Sequence, residues 1–145
     1  MEHLLAVWTY VATHPFGVVG AIVASFGIGF LFHGPLFGKT WMALNGITPP
    51  KPGELTASMM LPGVIASIVM PFFQVAVLGR TFQLVALTGM WQALLIAVII
   101  WLPFTALVLV NQFAWIGKSW KKIGFDVIYN LCSVLAIAAI AYATL

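Results

Sequence analysis

Four apolar stretches, each long enough to cross the hydrocarbon of a bilayer, take up most of this chain of 145 residues. A membrane-spanning helix needs about 20 mostly apolar residues. Only 6% of the residues are charged, against about 25% in a soluble domain, and a domain of this size cannot bury so much apolar surface. We therefore predict an all-α membrane protein with four transmembrane helices in one domain, residues 1–145. The predicted spans cover residues 16–37, 58–79, 84–110 and 124–144.

The first thirteen residues form a shorter amphipathic segment. Leu5, Trp8 and Val11 fall on one helical face, and Thr13-His14-Pro15 follows. A residue before proline avoids the helical conformation, whereas proline itself fits the first turn of a helix. The sequence thus predicts a short interfacial helix over residues 2–13, with Thr13 or His14 as the cap of the first span.

The basic residues predict an orientation for the chain. Loops after the first and third spans hold five lysines, whereas the other side holds only Arg80. Because lysine and arginine accumulate in cytoplasmic loops, we expect these loops in the cytoplasm and both termini outside. The expected location is a bacterial inner membrane. The net charge of +3 reflects this anchoring, so no nucleic-acid partner is expected. The five lysines are Lys39, Lys51, Lys118, Lys121 and Lys122.

A short motif occurs twice, 79 residues apart, at the ends of the first and third spans. Each copy reads Gly-Lys-(Thr/Ser)-Trp after two apolar residues. The repeat suggests two helical hairpins in the same orientation. Interface chemistry alone also explains the grouping, because lysine and tryptophan both anchor helix ends at headgroup level. The anchors are Lys39 and Trp41 in the first copy, and Lys118 and Trp120 in the second.

The segment from Phe32 to Met42 resembles the signature of a bacterial four-helix membrane family, domain of unknown function family 1761. In that signature an aromatic pair is followed by Ser-Pro-Leu, Phe-Gly-Lys and Trp-Met. The tail is also similar, with Trp-Lys before the last helix and a tyrosine one turn inside it. The matching residues are Pro35, Leu36, Phe37, Gly38, Lys39, Trp41, Met42, Trp120, Lys121 and Tyr129.

The chain differs from that signature in two places. The family's Trp-Tyr pair is Phe32-His33 in this chain, and the histidine that commonly follows the tyrosine is Asn130. The resemblance implies a four-span fold across nearly the whole chain and a membrane location. It implies no reaction, because none is assigned to the family.

Small residues recur every four positions along the first span, at Gly17, Ala21, Ser25 and Gly29. Such a stripe lets helix backbones approach closely in lipid. Two interpretations remain open: close packing inside one four-helix bundle, or a contact with another subunit. The stripe predicts a helix-packing face in either case.

Polar residues gather toward the lysine side of the spans. His33, Asn111 and Gln112 lie near the ends of the first and third spans, while Asp126 and Asn130 share a face of the fourth. We treat these five residues as a candidate polar cluster, since polar groups inside a span often mark a functional site. A structural role is the alternative for Asp126, because Lys122 lies one turn before it and can neutralise it.

Three prolines, Pro62, Pro71 and Pro103, mark sites where a helix can bend. Pro71 lies one turn before Gln74 in the second span, and Pro103 lies close to Thr105 in the third. Breaks of this kind can line a pathway, but they are also common in membrane helices without one.

Composition and spacing reveal neither a nucleophile with a base nor a set of metal ligands. The three acidic residues lie on separate elements, so we expect no enzyme, no cofactor and no metal site. The favoured function is a structural or accessory subunit in a homo-oligomer or larger membrane complex, which packs through the small-residue face. The alternative is an oligomeric transporter or channel for a small molecule or ion, lined by the polar cluster.

Overall fold

The computed structural model describes residues 2–49, 51 and 56–145, and within these ranges the chain is helical without strands. A five-residue π-helical turn, Leu102–Ala106, joins α5 to α6, so that these two helices form one span. The helices are α1 (Glu2–Thr13), α2 (Pro15–His33), α3 (Gly38–Asn45), α4 (Ala57–Val85), α5 (Met90–Trp101), α6 (Leu107–Trp115) and α7 (Trp120–Ala143).

Four helical segments are long and apolar enough to cross a membrane, which confirms the predicted all-α membrane fold. The spans are α2, α4, the third span (α5, the π turn and α6 together) and α7. The predicted helix start after the Thr13-His14 cap is also correct: His14 caps α2 and Pro15 occupies its first turn. The short N-terminal helix is present as α1.

The span boundaries differ from the sequence-based ones near turns and polar residues. The first span ends at His33 rather than residue 37, because Gly34 precedes Pro35 and cannot easily stay helical. Arg80, expected in a loop, lies inside α4, which continues to Val85. Arginine is a good helix former, so a single charge at the membrane boundary does not end the helix.

The last two spans start at other residues than predicted, in opposite directions along the chain. The third span begins at Met90, later than the predicted residue 84, and continues to Trp115. The fourth span begins at Trp120, four residues before the predicted start, because Ser119 caps it by accepting a hydrogen bond from the Lys122 backbone N–H.

The α7 helix is the centre of the bundle, since α2, α4 and α5 all pack against it. Its contacts also define the direction of the spans. Thr144 lies beside Gly17 and Tyr129 beside Gly29, so α2 and α7 are antiparallel. The third span is antiparallel to α7 as well, with Phe113 beside Lys122. The two hairpins, α2 with α4 and the third span with α7, therefore run in the same direction, as predicted.

The two copies of the repeated motif adopt different structures. Gly38 begins the short helix α3, which carries Lys39 and Trp41. Gly117 has a positive φ of 67° in the turn that separates α6 from α7. The common residues thus lie at the same end of the bundle without sharing a local conformation. We call this end, where α3 and the turn before Trp120 lie, the lysine end.

The small-residue face of α2 packs against α7 within the chain. A side chain at Gly17 would overlap Thr144, and one at Gly29 would lie 3.3 Å from the Tyr129 hydroxyl. Ala21 is completely buried, and Ser25 is hydrogen-bonded to Ser133 of α7. The structure thus shows the first of the two arrangements, with this face packed inside one four-helix bundle.

The N-terminal helix is docked on α4 rather than lying alone at the membrane surface. Tyr10 is buried with 1% of its surface exposed, and its ring stacks on His14 with 4.5 Å between the ring centroids. The Trp8 ring contacts Phe72 and Phe73 of α4. Gly79 leaves the room that the Tyr10 ring occupies, because any side chain at position 79 would overlap that ring.

We expect Gly79→Ala to destabilise the protein by about 1–3 kcal/mol, since the added methyl group must displace Tyr10 from a tightly packed site. Unfolding in detergent micelles, followed by tryptophan fluorescence, measures the change. Gly63→Ala is the matched control in the same helix, where a methyl group meets nothing within 4 Å. The control should be neutral or more stable by up to about 1 kcal/mol. Equal stability of the two variants would contradict the close docking of α1.

Candidate functional site

A groove with polar side chains in its lining runs along α7. It is bordered by α2 and α4 near the lysine end, and by α4 and the third span farther along. It consists of three adjoining cavities that share lining residues. The central cavity has a volume of about 340 Å³. The histidine cavity, of about 260 Å³, adjoins it toward the lysine end, and an apolar cavity of about 240 Å³ adjoins it on the other side. The polar lining residues are Ser25, His33, Ser67, Gln74, Thr105, Tyr129, Asn130 and Ser133.

The groove exists because the second and third spans stay apart. Although α4 and α5 are consecutive, their backbones hardly approach each other, and α7 bridges them from one side. Ala93 and Ala97 are fully buried, as expected where α5 lies close against a neighbouring helix. The space between α4 and the third span is therefore left to side chains and to whatever the groove holds.

Irregular backbone faces this space from both spans. Pro71 lies inside α4 and lacks an N–H, so the Ser67 carbonyl one turn earlier loses its helical donor. Across the groove, Leu102–Ala106 forms a π turn in which the Leu107 N–H donates to the Leu102 carbonyl. Such π turns are frequent at functional sites. Both irregularities border residues that line the groove.

A hydrogen bond between two serines closes one wall of the central cavity. Ser25 of α2 and Ser133 of α7 are 2.8 Å apart and buried. Either hydroxyl can be the donor, so the bond pairs the hydrogen of one serine with the oxygen of the other inside the membrane. The bond also fixes the register of α2 on α7 at the depth of the central cavity.

His33 is held at the lysine end of the groove by aromatic rings. Its Nδ1 lies 2.9 Å from the Gly29 carbonyl oxygen, and since a carbonyl can only accept, Nδ1 carries the hydrogen. The ring is perpendicular to Tyr129 and Trp41, with centroid distances of 4.7 and 5.2 Å. Nδ1 is thus engaged, which leaves Nε2 as the nitrogen free to meet a molecule in the histidine cavity.

Asn130 faces the central cavity, whereas Asp126 is used in an ion pair. The Asn130 side-chain amide donates to the Asp126 carbonyl oxygen at 2.8 Å, which leaves its own oxygen as an acceptor. The Asp126 carboxylate receives the Lys122 ammonium group at 2.6 Å. That ammonium group lies 4.8 Å from the centre of the Phe113 ring, so the pair ties α7 to α6 outside the groove.

The structure does not bring the five residues of the predicted polar cluster together. His33 and Asn130 line the groove, and Asp126 is paired with Lys122. Asn111 is exposed and accepts a hydrogen bond from the Trp115 indole, and Gln112 is exposed on the same helix. The four anchors lie at the lysine end: Lys39, Lys118 and Trp120 are exposed, and Trp41 packs on His33.

The predicted polar cluster lacked three polar residues of the site, Ser67, Gln74 and Thr105, although Gln74 and Thr105 stand out in the sequence beside prolines. Each is a single polar residue in a long apolar run, so no periodic pattern distinguishes it from a lipid-facing residue. The available signal was their position next to Pro71 or Pro103, where a helix can open. Tyr129 was noted only through the family resemblance, yet it borders two of the cavities.

The groove contains polar side chains in a mostly apolar lining, and no lysine, arginine, aspartate or glutamate is among its described lining residues. Hydroxyl, amide and imidazole groups offer both donors and acceptors, without a permanent charge that would attract an ion. Within the described part of the chain, no three histidine, cysteine or acidic side chains lie together as metal ligands would. The arrangement suits hydrogen bonding to an uncharged molecule.

These features define a four-helix integral membrane protein with an uncharged internal groove. The chain belongs to the family described as protein of unknown function (DUF1761), which matches residues 16–142. The match covers all four spans and therefore confirms the resemblance seen in the sequence. Comparison with curated proteins and with solved structures finds no match.

The Ser25–Ser133 hydrogen bond can be measured by a double-mutant cycle. We expect a coupling energy of about 0.6 kcal/mol between Ser25→Ala and Ser133→Ala, and at most about 1.7 kcal/mol, as for other bonds between membrane helices. Unfolding free energies of the wild type, both single variants and the double variant give this value. Strictly additive effects would show that the two hydroxyl groups do not interact.

Proposed function

We propose that the protein is a carrier for a small uncharged molecule, which it binds in the groove within the membrane. The observation that carries this proposal is the continuity of the polar lining from His33 at the lysine end to Gln74 and Thr105 halfway along the spans. A purely structural subunit has no need for three adjoining cavities with hydrogen-bonding walls. The small-residue face that favoured such a subunit is already covered by α7.

A carrier fits the groove better than an open channel. Beyond Gln74 and Thr105 the polar lining stops, and Val77, Leu78 and Trp101 form the apolar wall of the cavity that ends the groove. These apolar side chains form a barrier on the far side of the binding site. Passage would require the spans to separate there, and the backbone irregularities at Pro71 and at the π turn lie where such bending is least costly.

The same proposal includes an orientation and a location. We place the lysine end in the cytoplasm and both termini outside, in a bacterial inner membrane, on the basis of the lysine distribution. The Lys122–Asp126 ion pair does not change this count, because the rule depends on lysine and arginine rather than on net charge. We further propose that the protein is not an enzyme and needs no cofactor or nucleic-acid partner, because the groove offers hydrogen-bonding groups without a nucleophile paired to a base.

Access to single cysteines from each side of the membrane tests the carrier hypothesis. The chain has one cysteine, Cys132, so Cys132→Ser provides the background for Asn130→Cys and Gln74→Cys. A charged, membrane-impermeant thiol reagent is applied to sealed vesicles of either orientation. We expect Asn130→Cys to react from the lysine end only. Gln74→Cys should react from both sides, because a carrier exposes its binding site alternately.

The control is Ile128→Cys, on the same helix as Asn130 but 56% exposed on the lipid-facing surface, which should stay unreactive from both sides. Reaction of Gln74→Cys from the lysine end alone would indicate a closed pocket and exclude a carrier. If neither Asn130→Cys nor Gln74→Cys reacts, the groove is dry, and the structural interpretation is favoured.

An accessory role within an oligomer or larger complex is a second candidate, supported by a different surface. The first half of α4, residues 57–70, is exposed on nearly all sides, and α6 has no buried residue. Neither segment needs this exposure to build the groove. If this candidate is correct, gently extracted protein will show a native mass well above that of one chain, and an introduced Ile65→Asp substitution on the exposed part of α4 will reduce it. A monomer unaffected by Ile65→Asp would exclude it.

A further inference from the structure

The apolar cavity, at the end of the groove away from the lysine end, has the size of a small ring compound. Its volume is about 240 Å³, whereas a cavity of about 150 Å³ is enough to take up benzene. Most of its wall is apolar, formed by Phe73, Val77, Trp101, Phe104 and Val134. Flat aromatic side chains from both spans therefore surround a space that suits a ring with one substituent.

Two polar side chains, Gln74 and Thr105, line this cavity and make no hydrogen bond to the described residues. The Trp101 ring lines it as well, but its indole N–H is enclosed by the protein, has no acceptor in the described chain and is out of reach of a bound molecule. Polar groups inside a membrane are strongly destabilising when unpaired. Gln74 and Thr105 can both donate, so together they suit a ligand with a hydroxyl or carbonyl oxygen.

The surroundings of the cavity favour an uncharged ligand. No lysine, arginine, aspartate or glutamate is among its described lining residues. A charged group at this depth would be costly without a partner, and the Lys122–Asp126 pair is already satisfied at the lysine end. The hydrogen-bonding groups are confined to the side where the apolar cavity meets the central cavity, since Gln74 and Thr105 line both.

The cavity is open toward the lipid. Phe73 and Phe104, on opposite walls, are 52% and 77% exposed, and the backbones of α4 and the third span stay apart at this depth. A molecule dissolved in the bilayer can therefore reach the cavity sideways, without first crossing an aqueous phase. This route requires a ligand that partitions into lipid.

We infer that the apolar cavity binds a lipid-soluble, uncharged ring compound with one hydroxyl or carbonyl group. The ring lies between the aromatic side chains, Trp101 among them, and the oxygen is hydrogen-bonded by Gln74 and Thr105. The molecule arrives from the bilayer between the second and third spans. This ligand class rests on the proposed function, because it is the cargo of the carrier, but its binding can be measured without transport.

The test uses 4-bromophenol and bromobenzene, which differ by one hydroxyl group and both quench indole fluorescence on contact. The protein is reconstituted in lipid nanodiscs, and binding is corrected for partition into protein-free discs. Trp101→Phe serves as the blank, so that quenching of Trp101 is separated from that of the other five tryptophans. We expect 4-bromophenol to bind roughly fivefold to tenfold more tightly than bromobenzene, as one or two net hydrogen bonds allow.

Gln74→Leu and Thr105→Val should each weaken the binding of 4-bromophenol and leave that of bromobenzene almost unchanged. Two variants are used so that a folding defect in one does not decide the outcome. Gln112→Leu is the matched control, an exposed glutamine on the third span outside the cavity, and should bind both compounds like the wild type. Equal affinity for the two compounds, or quenching that does not depend on Trp101, would overturn the inference.

The result is separable from the carrier hypothesis. Selective 4-bromophenol binding together with one-sided access to Gln74→Cys would support the ligand site and exclude transport. Two-sided access without selective binding would support a carrier and overturn this ligand class.

Discussion

The close contact between α2 and α7 is the interaction on which the rest of the structure depends. Small residues on α2 let the two backbones approach, and the Ser25–Ser133 hydrogen bond fixes their register. In lipid there is no hydrophobic drive between helices, so such packing and hydrogen bonding must hold them together. Once α2 and α7 are joined, α4 packs against both of them and the third span packs against α7. The groove is the space left between α4 and the third span, and it continues between α4 and α2 toward the lysine end.

Much of the fold follows from the sequence, but the site does so only in part. The spans could be predicted because an apolar run without charge has one stable solution in a membrane. The stripe at Gly17, Ala21, Ser25 and Gly29 was recognisable as a packing face, although its partner was not. Gln74 and Thr105 could not be assigned to a common site, because their proximity depends on two spans that do not touch and on a third that bridges them.

The predicted polar cluster shows that residues near the same end of the bundle, at a similar depth in the membrane, need not form one site. His33, Asn111, Gln112, Asp126 and Asn130 all lie near the lysine end, but helical rotation separates them. His33 and Asn130 face the groove, while Asn111 and Gln112 face outward. At His33 and Asn130 this chain also carries a different polar residue from the one in the family signature. Both departures fall on the groove lining, where a change of side chain alters the hydrogen-bonding groups that a bound molecule meets.

The order of the spans has a consequence for biosynthesis, because α7 follows the three spans that pack against it. The ribosome completes those spans before α7 has been made, and during that interval the small-residue face of α2 is uncovered and Ser25 lacks the Ser133 hydroxyl as its partner. Since α2 and α4 also pack on each other, this first pair can associate early. The third span packs mainly on α7, so it gains its helical partner only when α7 has been inserted.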